Sequence, residues 1–149
     1  MEIELVSKLG ARLPRGGGLL EFGTTQEQAL LRLGRLGPPV DTGFVCDTAW
    51  TGRVLVGDCW IEASGGVDGL LGEIRVARAS EAPGHEASAV PVRYRGIDVF
   101  DHSIAEVRFL LDAMDPGTER DLRLTGVSGY ALSATLVDLS RPSGFRRGE

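Results

Sequence analysis

Two stretches of the chain place apolar residues three or four positions apart, which is the spacing of one face of an α-helix. Both stretches begin with a hydroxyl residue and a Gln or Glu three positions later, namely Thr25 with Gln28 and Ser103 with Glu106. This pattern is typical of a capping box, in which the two residues satisfy each other's free backbone N–H groups. Proline and glycine follow each stretch and are expected to stop the helix. The sequence therefore predicts helices over residues 26–36 and 103–114.

The other periodic stretches alternate apolar and polar residues and predict β-strands. The predicted strands cover residues 44–46, 53–63, 70–78, 90–94, 97–100, 121–125 and 130–139. Within 53–63 the alternation places Asp58, Trp60 and Glu62 on one face of a single strand. Each helix is followed by strands with hairpin-length connections, which favours an α+β fold with a mainly antiparallel sheet over a doubly wound fold.

The two predicted helix starts resemble each other, because Ser103 lies 78 residues after Thr25 and each follows a phenylalanine by three positions. We interpret this as an internal duplication with half-repeats 1–78 and 90–139. The alternative is that two unrelated helices share a common capping pattern. The length of 149 residues predicts one globular domain over 1–139, and the composition of 140–149 indicates a flexible tail.

The composition excludes several classes of protein. Apolar residues make up 42% of the chain and charged residues 25%, with a net charge of −5, which is typical of a globular protein and disfavours nucleic-acid binding. No apolar run approaches the roughly 20 residues of a membrane span, and the N-terminus lacks a signal-peptide pattern. We therefore expect a cytoplasmic protein without membrane contact. Its single Lys, its fifteen Arg and the absence of Asn indicate a bacterial coding sequence of high GC content.

The run Phe22-Gly23-Thr24-Thr25-Gln26-Glu27-Gln28-Ala29, followed by Leu33-Gly34, resembles the F-G-x-T-x-x-E helix start of uncharacterised bacterial proteins. It is also similar to the helix start of the β-lactamase-inhibitor-protein and outer-membrane-assembly-lipoprotein group. A second copy, Gly96-Ile97-Asp98-Val99-Phe100 with Ser103 and Glu106, resembles an element of actinobacterial proteins, and Asp101 replaces the glycine there. The resemblance implies a duplicated module of helix and antiparallel sheet that binds other proteins and has no catalytic residue. It does not extend to a membrane-anchored role, since the chain has no lipobox cysteine.

One string is similar to a catalytic motif. Asp41-Thr42-Gly43 resembles the Asp-Thr-Gly of retroviral-type aspartic proteases, in which a dimer brings two aspartates together to share one proton. Phe44 stands where that family has a small residue, and Asp-Thr-Gly also suits a turn before a strand. An aspartic-type hydrolase that uses Asp41 in a dimer is therefore kept as an alternative to a non-enzymatic protein.

The remaining residues with chemical potential are widely spaced: Cys46, Cys59, His85 and His102. Zinc sites have closely spaced ligand pairs, and neither the cysteines nor the histidines form one. Acidic residues adjoin both thiols and disfavour the thiolate that a nucleophile needs. We therefore predict no metal site, no cofactor and no catalytic residue, and a disulfide between the two cysteines is left open.

Residues 41–73 contain six acidic residues against one arginine, together with both tryptophans. A tryptophan beside carboxylates is suited to anchor a partner with a basic surface. The predicted partner-binding residues are Trp60, Asp58, Glu62, Trp50 and Asp47. The sequence thus favours a protein-binding module, in its most concrete form an immunity-type or accessory protein for a basic partner. A structural subunit of a homo-oligomer is a further alternative.

Overall fold

A computed structural model describes residues 1–43, 49–79, 90–117, 120–127 and 129–140. Within these ranges the chain forms eleven strands and two helices. The strands are β1 (Ile3–Val6), β2 (Gly10–Leu13), β3 (Gly18–Glu21), β4 (Val40–Gly43), β5 (Trp50–Val56), β6 (Cys59–Gly65), β7 (Leu71–Arg78), β8 (Val92–Tyr94), β9 (Ile97–Asp98), β10 (Leu122–Val127) and β11 (Tyr130–Val137). The helices are α1 (Gln26–Gly34) and α2 (Ile104–Met114). The predicted α+β class is confirmed.

The described strands form two sheets. The five-stranded sheet has the order β3-β2-β1-β8-β9, in which β1 and β8 are parallel and the other neighbours are antiparallel. The six-stranded sheet has the order β10-β11-β7-β6-β5-β4 and is antiparallel throughout. Buried apolar side chains from both sheets and both helices join in one core. The prediction of mainly antiparallel pairing is therefore confirmed.

Both predicted capping boxes are present. In α1 the backbone N–H of Gln28 donates to the Thr25 hydroxyl at 3.3 Å, and the N–H of Thr25 donates to the Gln28 side chain at 3.2 Å. Ser103 and Glu106 form the same pair of bonds at 3.1 and 3.3 Å. The donors of Ser103 also lower the pKa of the Glu106 carboxylate. The helix predictions are thus confirmed, with α1 ending at Gly34 rather than at residue 36.

The helix α1 approaches the six-stranded sheet at Gly52 of β5. A Cβ atom at this position would collide with the side chain of Leu30. Because glycine leaves that space open, Ala29 and Leu33 on the same helix reach the core and are fully buried. The close approach fixes which face of β5 points inward.

One strand prediction is wrong. Residues 53–63 were expected to form a single strand, but the chain reverses at Gly57 and Asp58 and forms the hairpin of β5 and β6. Gly57 has a φ of 58°, which is in the left-handed region that glycine tolerates and a tight hairpin needs. The predicted strand 44–46 lies outside the described residues. Three short N-terminal strands, β1 to β3, were not predicted.

A buried aspartate joins the two sheets. Asp121 directly precedes β10 in the six-stranded sheet and is 4% exposed. Its Oδ2 atom accepts hydrogen bonds from the Ser7 hydroxyl at 2.9 Å and from the Lys8 backbone N–H at 3.0 Å. Its Oδ1 atom accepts one from the Tyr94 hydroxyl at 2.7 Å. All three donors belong to turn or strand residues of the five-stranded sheet, so this carboxylate sets how the two sheets meet.

We expect Asp121→Ala to lower the free energy of unfolding by about 3 kcal/mol or more, because three donors lose their shared acceptor in a buried place. Tyr94→Phe removes one of these bonds and should cost about 2 kcal/mol. Asp112→Ala is the control, since it removes an exposed aspartate paired with Arg120 and should cost less than about 1 kcal/mol. Urea denaturation measures all three. Equal effects of Asp121→Ala and Asp112→Ala would contradict the role assigned to Asp121.

Candidate protein-binding face

The register of β5, β6 and β7 aligns side chains into rows on one face of the six-stranded sheet. Arg53 lies opposite Glu62, which lies opposite Arg75. In the next row Leu55 lies opposite Trp60. We call this surface the Trp60 face, made up of Arg53, Leu55, Trp60, Glu62, Glu73 and Arg75. The alternate residues of the same strands, including Val54, Ile61 and Val76, are buried in the core. The Trp60 face therefore points away from the core.

An arginine covers the tryptophan on this face. The guanidinium carbon of Arg53 lies 4.3 Å from the centre of the Trp60 ring, which is cation–π geometry. Trp60 is partly exposed, and the neighbouring Leu55 is 46% exposed. The face thus presents an aromatic ring, a cation and an aliphatic side chain side by side.

The charges on the Trp60 face alternate in sign. Glu62 pairs with Arg75 at 3.8 Å between Oε1 and Nη1, and Arg53 lies on the other side of Glu62. Such partly exposed pairs contribute little to stability, about 0–1 kcal/mol each. The acidic surplus of residues 41–73 is therefore offset on this face by the two arginines.

Glu73 has the most unusual environment on the face. Its pKa is raised to about 7, mainly by burial and also by the neighbouring Glu62, while Arg123 and Arg75 act in the opposite direction. Its Oε2 atom is buried and has no hydrogen-bond partner among the described residues. An ionised carboxylate that lacks donors is costly to bury. Protonation of Glu73 is therefore favoured in the folded protein.

The structure separates the residues predicted to bind a partner. Trp60 and Glu62 share the Trp60 face, as the alternation predicted. Asp58 does not lie on the strand with them; it lies in the turn between β5 and β6, where its carboxylate accepts the Cys59 thiol at 3.5 Å. Asp47 lies outside the described residues.

Trp50 belongs to the core. It is 5% exposed, and its indole N–H donates to the carbonyl oxygen of Gly69 at 2.6 Å. A side chain at Gly65 would occupy the space of its ring. Trp50 therefore holds β5 against the chain around Gly69 and does not present its ring on the Trp60 face.

The residues considered for catalysis or metal binding are scattered. Asp41 lies in β4, the last strand in the order of the six-stranded sheet, opposite Gly52. Cys59 is buried, and His102 is partly exposed near Glu106. Cys46 and His85 lie outside the described residues. Within the part of the chain that is described, no three His, Cys, Asp or Glu residues lie close enough to hold a metal ion.

Sequence reasoning missed the arginine of the Trp60–Arg53 pair as well as Leu55 and Glu73. If residues 53–63 formed one extended strand, Arg53 would lie too far along it from Trp60 for the two side chains to touch. The dipeptide Gly57-Asp58 was the available signal, because Gly and Asp favour tight turns. A hairpin turn there brings Leu55 and Trp60 opposite each other.

No helix in the described ranges is long and apolar enough to cross a membrane. Neither a protein-family model, a curated protein sequence nor a solved structure matches the chain.

The raised pKa of Glu73 predicts a pH dependence of stability. Between the ordinary value of 4.5 and the folded value of about 7, the folded state binds more protons than the unfolded state, so stability falls as the pH rises through this window. Partial exposure and the nearby arginines limit the change to about 1–2 kcal/mol. Glu73→Gln should remove this loss and be more stable than the wild type above pH 7.

Urea denaturation across this pH window provides the measurement. Glu4→Gln is the matched control, because it removes a partly exposed carboxylate of β1 that pairs with Arg12. Its free energy of unfolding should change with pH as that of the wild type does. If the free energy of unfolding of Glu73→Gln falls with pH as steeply as that of the wild type, Glu73 is ionised throughout this pH window.

Proposed function

We propose that this protein is a non-enzymatic protein-binding module and that the Trp60 face is its contact surface. The observation that carries the proposal is the pair of Trp60 and Arg53 at 4.3 Å beside the exposed Leu55. Tryptophan and arginine are the residues most enriched at the energetic centres of protein interfaces. Here they lie on a sheet face, whose strands hold them in fixed positions.

The charge pattern suggests the chemistry of the partner. Glu62 lies between Arg53 and Arg75, so a complementary surface would place a cation opposite Glu62 and carboxylates opposite the arginines. A uniformly basic partner would meet two arginines on this face. The proposal is therefore a partner of alternating charge with an apolar centre, rather than the strictly basic partner that the composition suggested.

In its most specific form, the proposal is that the protein neutralises or assists this partner in the cytoplasm, as immunity-type and accessory proteins do. Such roles need a rigid, complementary surface and no chemistry. The paired rows across β5, β6 and β7 supply a surface of that kind, because each side chain is backed by a strand that is buried on its other side.

The test compares variants first in which cellular proteins they capture and then in their affinity for the purified partner. Tagged wild type, Trp60→Ala and Phe109→Ala are used to capture proteins from cells of the source organism. Phe109 is the matched control, since it is an aromatic residue of α2 that is 73% exposed and lies outside the Trp60 face. A genuine partner should be captured by wild type and Phe109→Ala but not by Trp60→Ala.

The purified partner should then bind Trp60→Ala at least about 30-fold more weakly than wild type, which corresponds to about 2 kcal/mol. The loss should lie mainly in faster dissociation. Leu55→Glu, which adds a charge at an exposed position, should also abolish binding without unfolding the protein. Loss of the partner in Phe109→Ala but not in Trp60→Ala would contradict the proposal. If the wild type self-associates and Trp60→Ala makes it monomeric, the molecule that binds the Trp60 face is instead a second copy of this chain.

A further inference from the structure

The strand β10 is an edge of the six-stranded sheet. It is the last strand in the sheet order, and among the described residues only β11 pairs with it. The opposite edge strand, β4, follows Pro39, which has no N–H group, and its pairing is soon interrupted by a register shift after Asp41. In β10 the register runs unbroken from Leu122 to Thr125. It is therefore the more regular of the two edges and the better template for an added strand.

The pairing with β11 fixes which backbone groups of β10 face outward. The Val137 N–H donates to the Asp121 carbonyl oxygen at 2.9 Å, so Asp121 directs its backbone groups toward β11. Because this direction alternates along an antiparallel pair, Arg123 also bonds to β11, while Leu122 and Leu124 direct their N–H and C=O groups away from it. Among the described residues, no backbone group outside the sheet bonds to either leucine. Each leucine thus offers a donor and an acceptor to an added strand.

The helix α2 runs beside this edge in the direction opposite to β10. At its start the Ile104 N–H donates to the carbonyl oxygen of Gly129, in the turn after β10, at 2.7 Å. Near its end Asp112 pairs with Arg120, which precedes β10, at 2.7 Å. A groove of about 300 Å³ lies between the helix and the strand. The two contacts hold the helix alongside the strand over the length of this groove.

The groove combines apolar walls with exposed positive charge. Apolar side chains from the helix and the strand line it, namely Val107, Leu111, Leu122 and Leu124. Two arginines also line it, Arg108 on α2 and Arg123 on β10, and both are exposed. Among the described residues, no carboxylate lies within ion-pair distance of either arginine. The acidic residue that lines the groove, Asp112, is paired with Arg120. The charge of the groove therefore favours an acidic occupant.

We propose that this groove binds an extended acidic segment of a partner protein, which joins the six-stranded sheet as an antiparallel strand beside β10. The backbone of the segment bonds to Leu122 and Leu124. Because side chains alternate along a strand, every second residue of the segment points into the apolar groove, and the intervening residues lie on the side of Arg123. A segment of alternating apolar and acidic residues therefore matches the open edge, the apolar walls and the arginines together.

This binding site is separate from the one proposed above, since no residue of the Trp60 face lines the groove. The probe that tests it is the peptide acetyl-Glu-Val-Glu-Leu-Glu-Val-Glu-amide, and isothermal titration calorimetry measures its affinity. It should bind with a Kd below about 1 mM. Two control peptides should each bind at least about tenfold more weakly. One has Lys in place of every Glu, and the other is N-methylated at its apolar residues, whose N–H groups face β10 in an antiparallel pair.

Charge-reversal variants test the role of the arginines. Arg108→Glu and Arg123→Glu should each weaken binding of the acidic peptide by about fivefold or more, because each replaces attraction by repulsion. Arg35→Glu is the matched control, since Arg35 is an exposed arginine at the end of α1 and lies outside the groove. Trp60→Ala should also leave the peptide affinity unchanged, which separates this site from the Trp60 face.

Amide hydrogen exchange locates the bound peptide. Exchange at Leu122 and Leu124 should slow at least about tenfold when the peptide binds, while exchange in β4 keeps its rate. Equal affinity for the N-methylated or the lysine peptide would overturn the proposal. So would equal effects of Arg108→Glu and Arg35→Glu, or no saturable binding up to about 1 mM. A dimer that protects the same two amides without peptide would place a second copy of this chain at the edge and overturn it as well.

Discussion

The carboxylate of Asp121 lies between the two sheets and accepts three hydrogen bonds from the five-stranded sheet. An aspartate this deeply buried is stable only when donors surround it, so Ser7, Lys8 and Tyr94 must be in place whenever the protein is folded. That requirement fixes the turn after β1 and the end of β8 relative to β10. Burial and the bond to Asp121 together raise the pKa of Tyr94 and keep its hydroxyl protonated as a donor.

The six-stranded sheet determines which side chains lie on the Trp60 face. Its inner face packs into the core through residues such as Ile61 and Val76, which are fully buried. The intervening residues must then point outward, and a shift of register by one residue would exchange the two faces. The arrangement of Trp60, Leu55 and Arg53 is thus a consequence of how the sheet buries its other side.

The sequence predicted the local features well, because they depend on residues close together in the chain. Both helices and their capping boxes follow from pairs three residues apart, such as Thr25 and Gln28. Two of the contacts made by Asp121, those with Ser7 and Lys8, join residues more than a hundred positions apart along the chain, and no local pattern marks them. The hairpin at Gly57 was missed because alternation continues through the turn. The N-terminal strands are four residues each, which is too short for a clear period.

The two halves of the chain share features that agree with the duplication hypothesis, which stays a prediction. The hairpins of β6 with β7 and of β10 with β11 each have a register shift immediately before a glycine, Gly65 or Gly126. The backbone just before α1 hydrogen-bonds to Leu71 in β7, the second strand of the first hairpin. The backbone at the start of α2 hydrogen-bonds to Gly129 in the turn of the second hairpin. These likenesses lie in the backbone, where a comparison of the two sequence halves does not reveal them.

The two tryptophans allow the most direct test of the central claim, that the Trp60 face is where a partner binds. Their indole N–H groups give separate NMR signals, and each has a defined place: Trp60 on the face, Trp50 in the core and bonded to Gly69. Titration of the labelled protein with its purified partner should shift or broaden the Trp60 signal and leave the Trp50 signal unchanged. A partner that binds while the Trp60 signal stays in place would contradict the account.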